Sequence, residues 1–436
     1  MYSFNTRVIL LHVAYEKARL IQFWAPVCVK GGTKPQVLMA ETKDVDVEIV
    51  SNSLSGMKIL VGITGGIAAV DSVRLLREIR RHGGIPIVVM TKAAQQIISP
   101  LAIEWASQSQ VIIDWEADMA QLEEVDAVLV CPATRYTIAS HIHGIMDTPL
   151  QMAMSAARGR GIPILFVPSM HNSLSSDPIT EDLTNELIQN GNYVLWGPHE
   201  EGRRKTPDTV NIVAEFSHII NSSNKSSKVI ITIGATRSPI DHVRWIQNTS
   251  TGKTGWKISD YLYRMGHDVI VVHGETTSPA PTFLKNLEYH SNPDDMLNAL
   301  LLHAKSENPP DSWVHCAAVL DFTPSNYHDY KLKSDEQTWL IELNSSKKHI
   351  NELTPYCDNT IRIGFKLESN VSHDDLIESA KNMINKYQLN GVVANLLESV
   401  NDETTPRAFW VNEKGVITTI KDNLSLAMII DEQISR

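Results

Sequence analysis

The stretch KILVGITGGIAAVDSVRLLREIRRHGGIPIVVMT, residues 58–91, decides the fold. KILVGIT is a continuous apolar run without polar alternation, so it reads as a strand buried on both faces. Two glycines follow, and then Val70, Val73, Leu75, Leu76 and Ile79 recur at helical spacing as far as Gly83. IPIVVMT opens a second apolar strand. A strand, a helix and a strand in that order make a crossover unit of a parallel sheet.

Outward from this unit, AVLVCPAT (127–134) and IPILFVP (162–168) supply further buried strands, and residues 56–220 read as one doubly wound domain. NSSNKSS (221–227) is polar and serine-rich and reads as a linker. The pattern then restarts with KVIITIGAT, DVIVVHG, SWVHCAAV, IRIGFK and GVVAN, separated by helical segments over 253–266, 293–305 and 374–387. Residues 228–436 are therefore a second domain. AFWVNEKGVITTI (408–420) reads as an antiparallel hairpin turning at Glu413–Gly415. The fold class is α/β, with two doubly wound parallel sheets of Rossmann or flavodoxin-like type.

Composition bounds the function. With 436 residues, 43% apolar and 20% charged, the chain is globular and long enough for two cores. A net charge of −11 argues against a nucleic-acid partner, whose phosphates demand a basic face. Four scattered cysteines form no CxxC pair, which fits a reducing, cytoplasmic setting and suggests neither zinc nor a disulfide framework; no metal ligand set is read. Residues 7–28 are apolar but broken by Glu16, Lys17 and Arg19, so neither a membrane span nor a signal peptide is expected, and residues 1–55 stay unassigned.

Candidate sites lie where strands end. Thr64-Gly65-Gly66-Ile67 joins the first strand to its helix, reading equally as a tight turn or as an anion-binding turn. A dinucleotide site requires G-x-G-x-x-G and an acid after the second strand. The strand ends instead in Met90-Thr91-Lys92, which disfavours NAD and leaves a mononucleotide open. Pro132-Ala133-Thr134 and GIMDTPL (144–150) occupy equivalent places, and His171 in VPSMHN is an acid/base candidate or an idle loop histidine. In the second half, GATRSPIDHVR (234–244) runs into WIQNTSTGKTG (245–255), dense in hydroxyls, glycine and lysine before a helix but without P-loop spacing. CAAVLDF (316–322) follows a strand, and Lys331 and Lys333 read as polyphosphate ligands or as a solvated pair.

Taken in order, TGGIAA, MTKAA, CPATRYTIA, GIMDTP and VPSMHN resemble the flavin-binding half of the bifunctional phosphopantothenoylcysteine decarboxylase/phosphopantothenate–cysteine ligase family of coenzyme A biosynthesis, the histidine of the last motif being similar to the archaeal branch. The resemblance implies FMN held by Thr64, Gly65, Gly66, Ile67, Thr91, Pro132, Ala133 and Thr134, with His171 beside it. Two family residues are missing: a catalytic histidine, whose region here reads ADMAQL (117–122), and a lid cysteine, whose region reads WGPHEEGRRKTP (196–207). The second-half motifs, completed by GFKLE (364–368) and VAN (393–395), resemble the ligase half across nearly its whole length. They imply that Asn248 contacts the substrate carboxylate and acyl-cytidylate, that Arg244 positions substrate, and that Lys331 stabilises cytidylyl transfer. Ala317, Asp321 and Phe365 are implied to line the CTP pocket, and Lys381 and Lys386 to reach its triphosphate. One departure is the turn Ser345-Ser346-Lys347-Lys348.

The expected chemistry is Mg²⁺- and CTP-dependent joining of phosphopantothenate to cysteine, then FMN-dependent decarboxylation. The expected assembly is a homo-oligomer, the flavin domain trimeric and the ligase domain dimeric. The competing readings are a ligase with a decayed flavin domain, and a non-enzymatic regulator on the same fold.

Overall fold

The computed structural model describes residues 44–116, 119–200, 203–331, 339–399 and 405–436; Ala117, Asp118 and Lys333 lie outside them. The first sheet comprises β1 (Lys58–Ile63), β2 (Ile85–Met90), β3 (Val111–Ile112), β4 (Ala127–Ala133), β5 (Ile164–Pro168) and β6 (Tyr193–Val194). Their order is β3-β2-β1-β4-β5-β6, with every pairing parallel. Alternate residues feed opposite cores: Ile59, Val61 and Ile63 pack on one face, and Leu60, Val128, Val130 and Phe166 on the other. That is why the strand sequences show no polar alternation.

A short antiparallel hairpin, β7 (His199–Glu200) and β8 (Arg203–Arg204), precedes the helix Thr209–Lys225. The second half then builds β9 (Lys228–Ile233), the ribbon β10 (Arg237–Pro239) and β11 (Trp245–Gln247), β12 (Asp268–His273), β13 (Leu287–Tyr289) and β14 (Ser312–His315). The ribbon β15 (Phe322–Pro324) and β16 (Leu343–Ser345) follows, then β17 (Ile361–Glu368), β18 (Gly391–Leu396), β19 (Ala408–Asn412) and β20 (Ile417–Ile420). Eight of these strands form a sheet ordered β13-β12-β9-β14-β17-β18-β19-β20. The last two are antiparallel, as the hairpin reading of 408–420 requires.

The polar run 221–227 departs from its reading as a linker: the helix Thr209–Lys225 continues through its first five residues. Asn221 explains this, because its Nδ2 donates to Ser53 O and Arg264 O, both at 2.8 Å. The helix serves both cores: Ile212, Val213, Phe216 and Ile220 join the first, Ala214 the second. His218 stacks on Tyr263 at 4.3 Å, and Tyr261 donates to Asn52 Oδ1 at 2.5 Å. Residues Val45–Arg436 accordingly form one compact unit. Packing begins before Met57: Leu54 is fully buried, and Ser51 Oγ meets His82 Nδ1 at 2.6 Å. No helix among the described residues is long and apolar enough to cross a membrane.

The helix Lys253–Arg264 sits on the end of β9 because Gly255 has no side chain; a Cβ there would lie 2.1 Å from Ile233 Cγ2. Replacing a helical glycine by alanine normally gains about 1 kcal/mol. Gly255→Ala is expected instead to lose about 1–3 kcal/mol through overpacking, read as a lower urea midpoint.

His141 and His349 are buried, and His315 is partly so. Burial pushes His141 and His349 down to about 4 and His315 to about 3. Both ring nitrogens of His141, Nδ1 of His349 and Nε2 of His315 are buried without a protein partner. The unfolded chain, with histidine near pKa ~6.5, binds more protons than the native one below that pH. Stability should therefore be undiminished by these groups above about pH 6.5 and decline as pH falls toward about 4. His141→Gln should flatten that slope in urea titrations repeated across the range.

Candidate functional site

In an open parallel sheet, ligands bind beyond the carboxyl ends of the strands, where neighbouring connections leave toward opposite faces. In the first sheet this point lies between β1 and β4, and Thr64 sits on it. Its buried Oγ1 donates to Pro132 O at 2.7 Å and accepts from Thr134 N at 3.1 Å. Beside it opens a cavity of about 520 Å³ reached by the ends of β1, β2, β3 and β4. Three of its lining threonines start helices. Thr91 Oγ1 accepts from Ala94 N at 3.3 Å, Thr134 from Thr137 N at 3.4 Å and Thr148 from Gln151 N at 3.2 Å. Each hydroxyl holds one of the N–H groups that a helix start leaves unpaired, and the remaining ones favour an anion.

The glycine of the turn is sterically required: a Cβ on Gly65 would stand 2.4 Å from that of Ala93. Gln151, also lining the cavity, donates through Nε2 to Thr137 O at 3.1 Å, while its buried Oε1 has no partner. The proton-bearing side chains on the wall are Tyr136, whose hydroxyl donates to the Asp147 carboxylate, and the Lys92–Asp114 pair at 3.3 Å. No motif reading singled out these four. Asp147 and Lys92 lie inside quoted motifs, but chain order alone does not say which side chains face inward.

Other expected residues fall elsewhere. Gly66, Ile67, Pro132 and Ala133 do not line the cavity, and Ile67 is 78% exposed. His171 is exposed and starts the short helix Asn172–Ser175, its Nδ1 accepting from Ser173 N at 3.2 Å. Within the stretch ADMAQL, Gln121 is buried with Nε2 3.5 Å from Met119 Sδ. The hairpin β7–β8 stands in the lid region, with Arg204 over the Trp196 ring at 4.3 Å.

The second crevice lies between β9 and β14. Thr232 Oγ1 accepts from Ala317 N at 3.3 Å, and buried Thr236 Oγ1 accepts from Leu320 N at 2.8 Å. Asn248 closes the same loop from the other side, Nδ2 donating to Ala318 O at 3.2 Å and Val319 O at 3.0 Å. Two motifs 70 residues apart in sequence are thereby clasped together. Arg244 is committed to Asp241, which is fully buried: Nη1 lies 2.5 Å from Asp241 Oδ2, and the guanidinium covers the Trp339 ring at 5.1 Å. Asp241 Oδ1 also accepts from the backbone N–H of Val243 and Arg244 at 2.7 and 2.8 Å, so the pair shapes the 240–244 turn.

Asp321 is exposed and paired with Lys348, and Ser346 N donates to Asp321 O at 2.8 Å. The unusual turn 345–348 thus fastens the Asp321 loop. Ala317 is half-buried just beyond the end of β14, and Phe365 is half-buried within β17, next to Gly364, which pairs with the last residue of β14. Lys331 is exposed at the border of the undescribed segment 332–338. Lys381 and Lys386 lie exposed on the helix His373–Tyr387. The end of that helix meets the beginning of β17, where Arg362 donates to Tyr387 O at 2.7 Å. Lys386 therefore sits at the edge of the sheet opposite Asn248, and the structure does not bring the two together. Among the described cysteines, burial pushes the Cys131 and Cys316 thiols up to about 12 and raises that of Cys357, which disfavours the nucleophilic thiolate. Among the described residues, no group of three or more His, Cys, Asp or Glu side chains gathers as a metal site.

Fold and crevices define an α/β flavoprotein-type half followed by a second ligand-binding half. Comparison with known proteins agrees: the Flavoprotein family matches residues 47–221, and the DNA/pantothenate metabolism flavoprotein C-terminal domain family matches residues 224–429. The coenzyme A biosynthesis bifunctional protein CoaBC of Thermococcus kodakarensis is 33% identical over 361 residues, covering 81% of this chain and 88% of its own. That of Methanocaldococcus jannaschii is 30% identical over 350 residues, covering 79% and 85%. That of Escherichia coli is 28% identical over 420 residues, covering 88% and 98%. The chain belongs to the family of bifunctional coenzyme A biosynthesis enzymes.

The cavity suits a flavin mononucleotide: its volume lies within the ~300–1,000 Å³ typical of ligand pockets, three helix-starting threonines line it, and the buried Gln151 Oε1 has no donor. Gly65→Ala, which must displace Ala93, is expected to remove the flavin; the absorbance of the purified variant relative to wild type checks this.

Proposed function

We propose that the second half joins 4′-phosphopantothenate to cysteine using CTP, and that the first half decarboxylates the product with FMN. Asn248 carries the ligase reading, since its amide fixes the loop Ala318–Val319 against the hydroxyl-rich turn. In the first step a carboxylate oxygen of phosphopantothenate attacks the α-phosphorus of CTP; a new P–O bond forms and the bond to pyrophosphate breaks. In the second, the cysteine amine attacks the acyl carbon, an amide forms, CMP leaves and the amine proton passes to solvent. Asn248 Oδ1 remains to orient a substrate amine or hydroxyl, while Nδ2 keeps the loop in place. Lys331 neutralises charge developing on the transferred phosphoryl group. Arg244, held by Asp241, positions the loop that carries Asn248. Mg²⁺ enters with the nucleotide phosphates.

In the first half, bound FMN supplies a two-electron oxidation of the thiol and returns the electrons after CO₂ has left. The helix starts at Thr91, Thr134 and Thr148 would hold its phosphate, Gly65 would leave room for it, and Gln151 Oε1 would accept a hydrogen bond from it. Ile67 at 78% and Val70 at 52% exposure form an apolar face beside the turn. A second copy covering it would give Gly66 and Ile67 a role in the site, in keeping with a homo-oligomer.

One observation favours a second reading, a ligase with a flavin domain that no longer decarboxylates: among the described residues neither histidine nor cysteine lines the cavity. Product mass separates the two. Protein incubated with phosphopantothenate, cysteine, CTP and Mg²⁺ is expected to yield phosphopantetheine; accumulation of phosphopantothenoylcysteine instead assigns only the ligase. Asn248→Asp sets a carboxylate against two carbonyl oxygens, and Lys331→Gln removes a charge. Each is expected to slow CMP release by about 100-fold or more, and normal release from both would refute the ligase assignment.

A further inference from the structure

Three arginines of the second half are neutralised by carboxylates at short range, Arg237 by Glu275 at 2.9 Å, Arg244 by Asp241 at 2.5 Å and Arg264 by Asp260 at 2.6 Å, and Arg362 donates to the carbonyls of Ile350 and Tyr387. Arg407 is different. It is half-buried, its Nη2 donates to Thr254 Oγ1 at 2.9 Å, and no carboxylate among the described residues pairs with it. Four of its five N–H donors make no hydrogen bond among the described residues, which leaves them available to a ligand.

Its position says what would complete it. Arg407 immediately precedes β19, which runs antiparallel to β18 with Phe409 opposite Ala394. The residue before β19 is thereby brought to the carboxyl edge of the parallel strands. Its side chain reaches the first turn of the helix Lys253–Arg264, which follows the turn after β11, and its charge acts on the Cys316 thiol at the end of β14. It therefore lies over the gap between β9 and β14, the crevice that Asn248 also borders. The helix start beside it begins at Gly252, with φ of 75° and no side-chain cap, and Lys253 is exposed next to it. The Arg407 guanidinium thus lies against the first turn of this helix, where the Lys253 N–H is held by Thr251 Oγ1 at 3.3 Å. The unfilled N–H donors of the guanidinium match the several adjacent oxygens of a polyphosphate better than a single carboxylate.

We propose that Arg407 binds the phosphate chain of the nucleotide in the ligase crevice and holds the departing pyrophosphate. The assignment rests on the ligase reading for the identity of the nucleotide, and on Arg407 itself for the polyanion. Bound this way, the terminal phosphates replace the missing counter-ion, and the fork favours an in-line exit of pyrophosphate.

The test uses the full-length protein, Arg407→Gln and Arg407→Lys, each confirmed folded by its thermal midpoint. Tripolyphosphate is titrated by calorimetry, and ligation is followed with CTP and phosphopantothenate varied separately. Arg407→Gln is expected to weaken tripolyphosphate and raise the KM for CTP by about 10–100-fold, leaving the KM for phosphopantothenate within about twofold. Arg407→Lys should recover part of the loss, because a point charge replaces the fork. Equal tripolyphosphate binding in wild type and Arg407→Gln overturns the proposal, as does no binding in either, or a shift confined to the KM for phosphopantothenate. Should wild-type protein release no CMP, the ligase reading falls, while the tripolyphosphate titration still decides the role of Arg407.

Discussion

At each switch point a threonine hydroxyl holds together two strands whose connections depart in opposite directions. Thr64 does this between β1 and β4, Thr232 and Thr236 between β9 and β14. Where parallel strands diverge, their backbone groups lose their sheet partners, and a buried unpaired group is costly. A short side chain that both donates and accepts closes the gap without filling it. The opening that persists beside it is the ligand site, so the same residues that complete the sheets create the crevices. Gly65 and Gly255 serve the same geometry by letting Ala93 and Ile233 approach to distances that a Cβ would forbid.

Much of this was legible in the chain. Continuous apolar runs ending in glycine or threonine marked the strands β1, β2, β4, β9 and β12, because strands buried on both faces have no polar side to hide. The turn at Thr64-Gly65 was legible for the same reason. The helix through NSSNKSS was not: serine and asparagine commonly break helices, and only the tertiary contacts of Asn221 with Ser53 and Arg264 overrule that preference. Side-chain direction was also hidden. Histidine 171 could be read as an acid, yet its ring nitrogen caps a helix turn; Lys386 could be read as a phosphate ligand, yet its helix runs back to the opposite edge. Arg407 escaped notice because an antiparallel return, not a motif, carries it to the crevice.

Charge is distributed with the same economy. The turn 240–244 is organised by Asp241, a carboxylate with no solvent contact whose two oxygens bind two backbone N–H groups and the Arg244 guanidinium. Arg362, buried at the other edge of the sheet, donates through its two Nη atoms to the carbonyls of Ile350 and Tyr387 and to Thr354 Oγ1, while its Nε is left without a partner. Arginine thus appears in three settings: neutralised by a carboxylate, solvated by helix-end carbonyls, and, at Arg407, neither.

The helix Thr209–Lys225 gives two cores a common wall, and this has a consequence for heredity. Genes for paired activities are readily split or fused where the protein between them is a passive tether. Here the border falls at the end of a rod that gives four residues to the first interior and Ala214 to the second, so a break at the obvious serine-rich spot would take that lining from the second side. Fission of such a gene would have to preserve the rod whole on one fragment and reinvent a surface on the other, which favours inheritance of the two halves as a single reading frame.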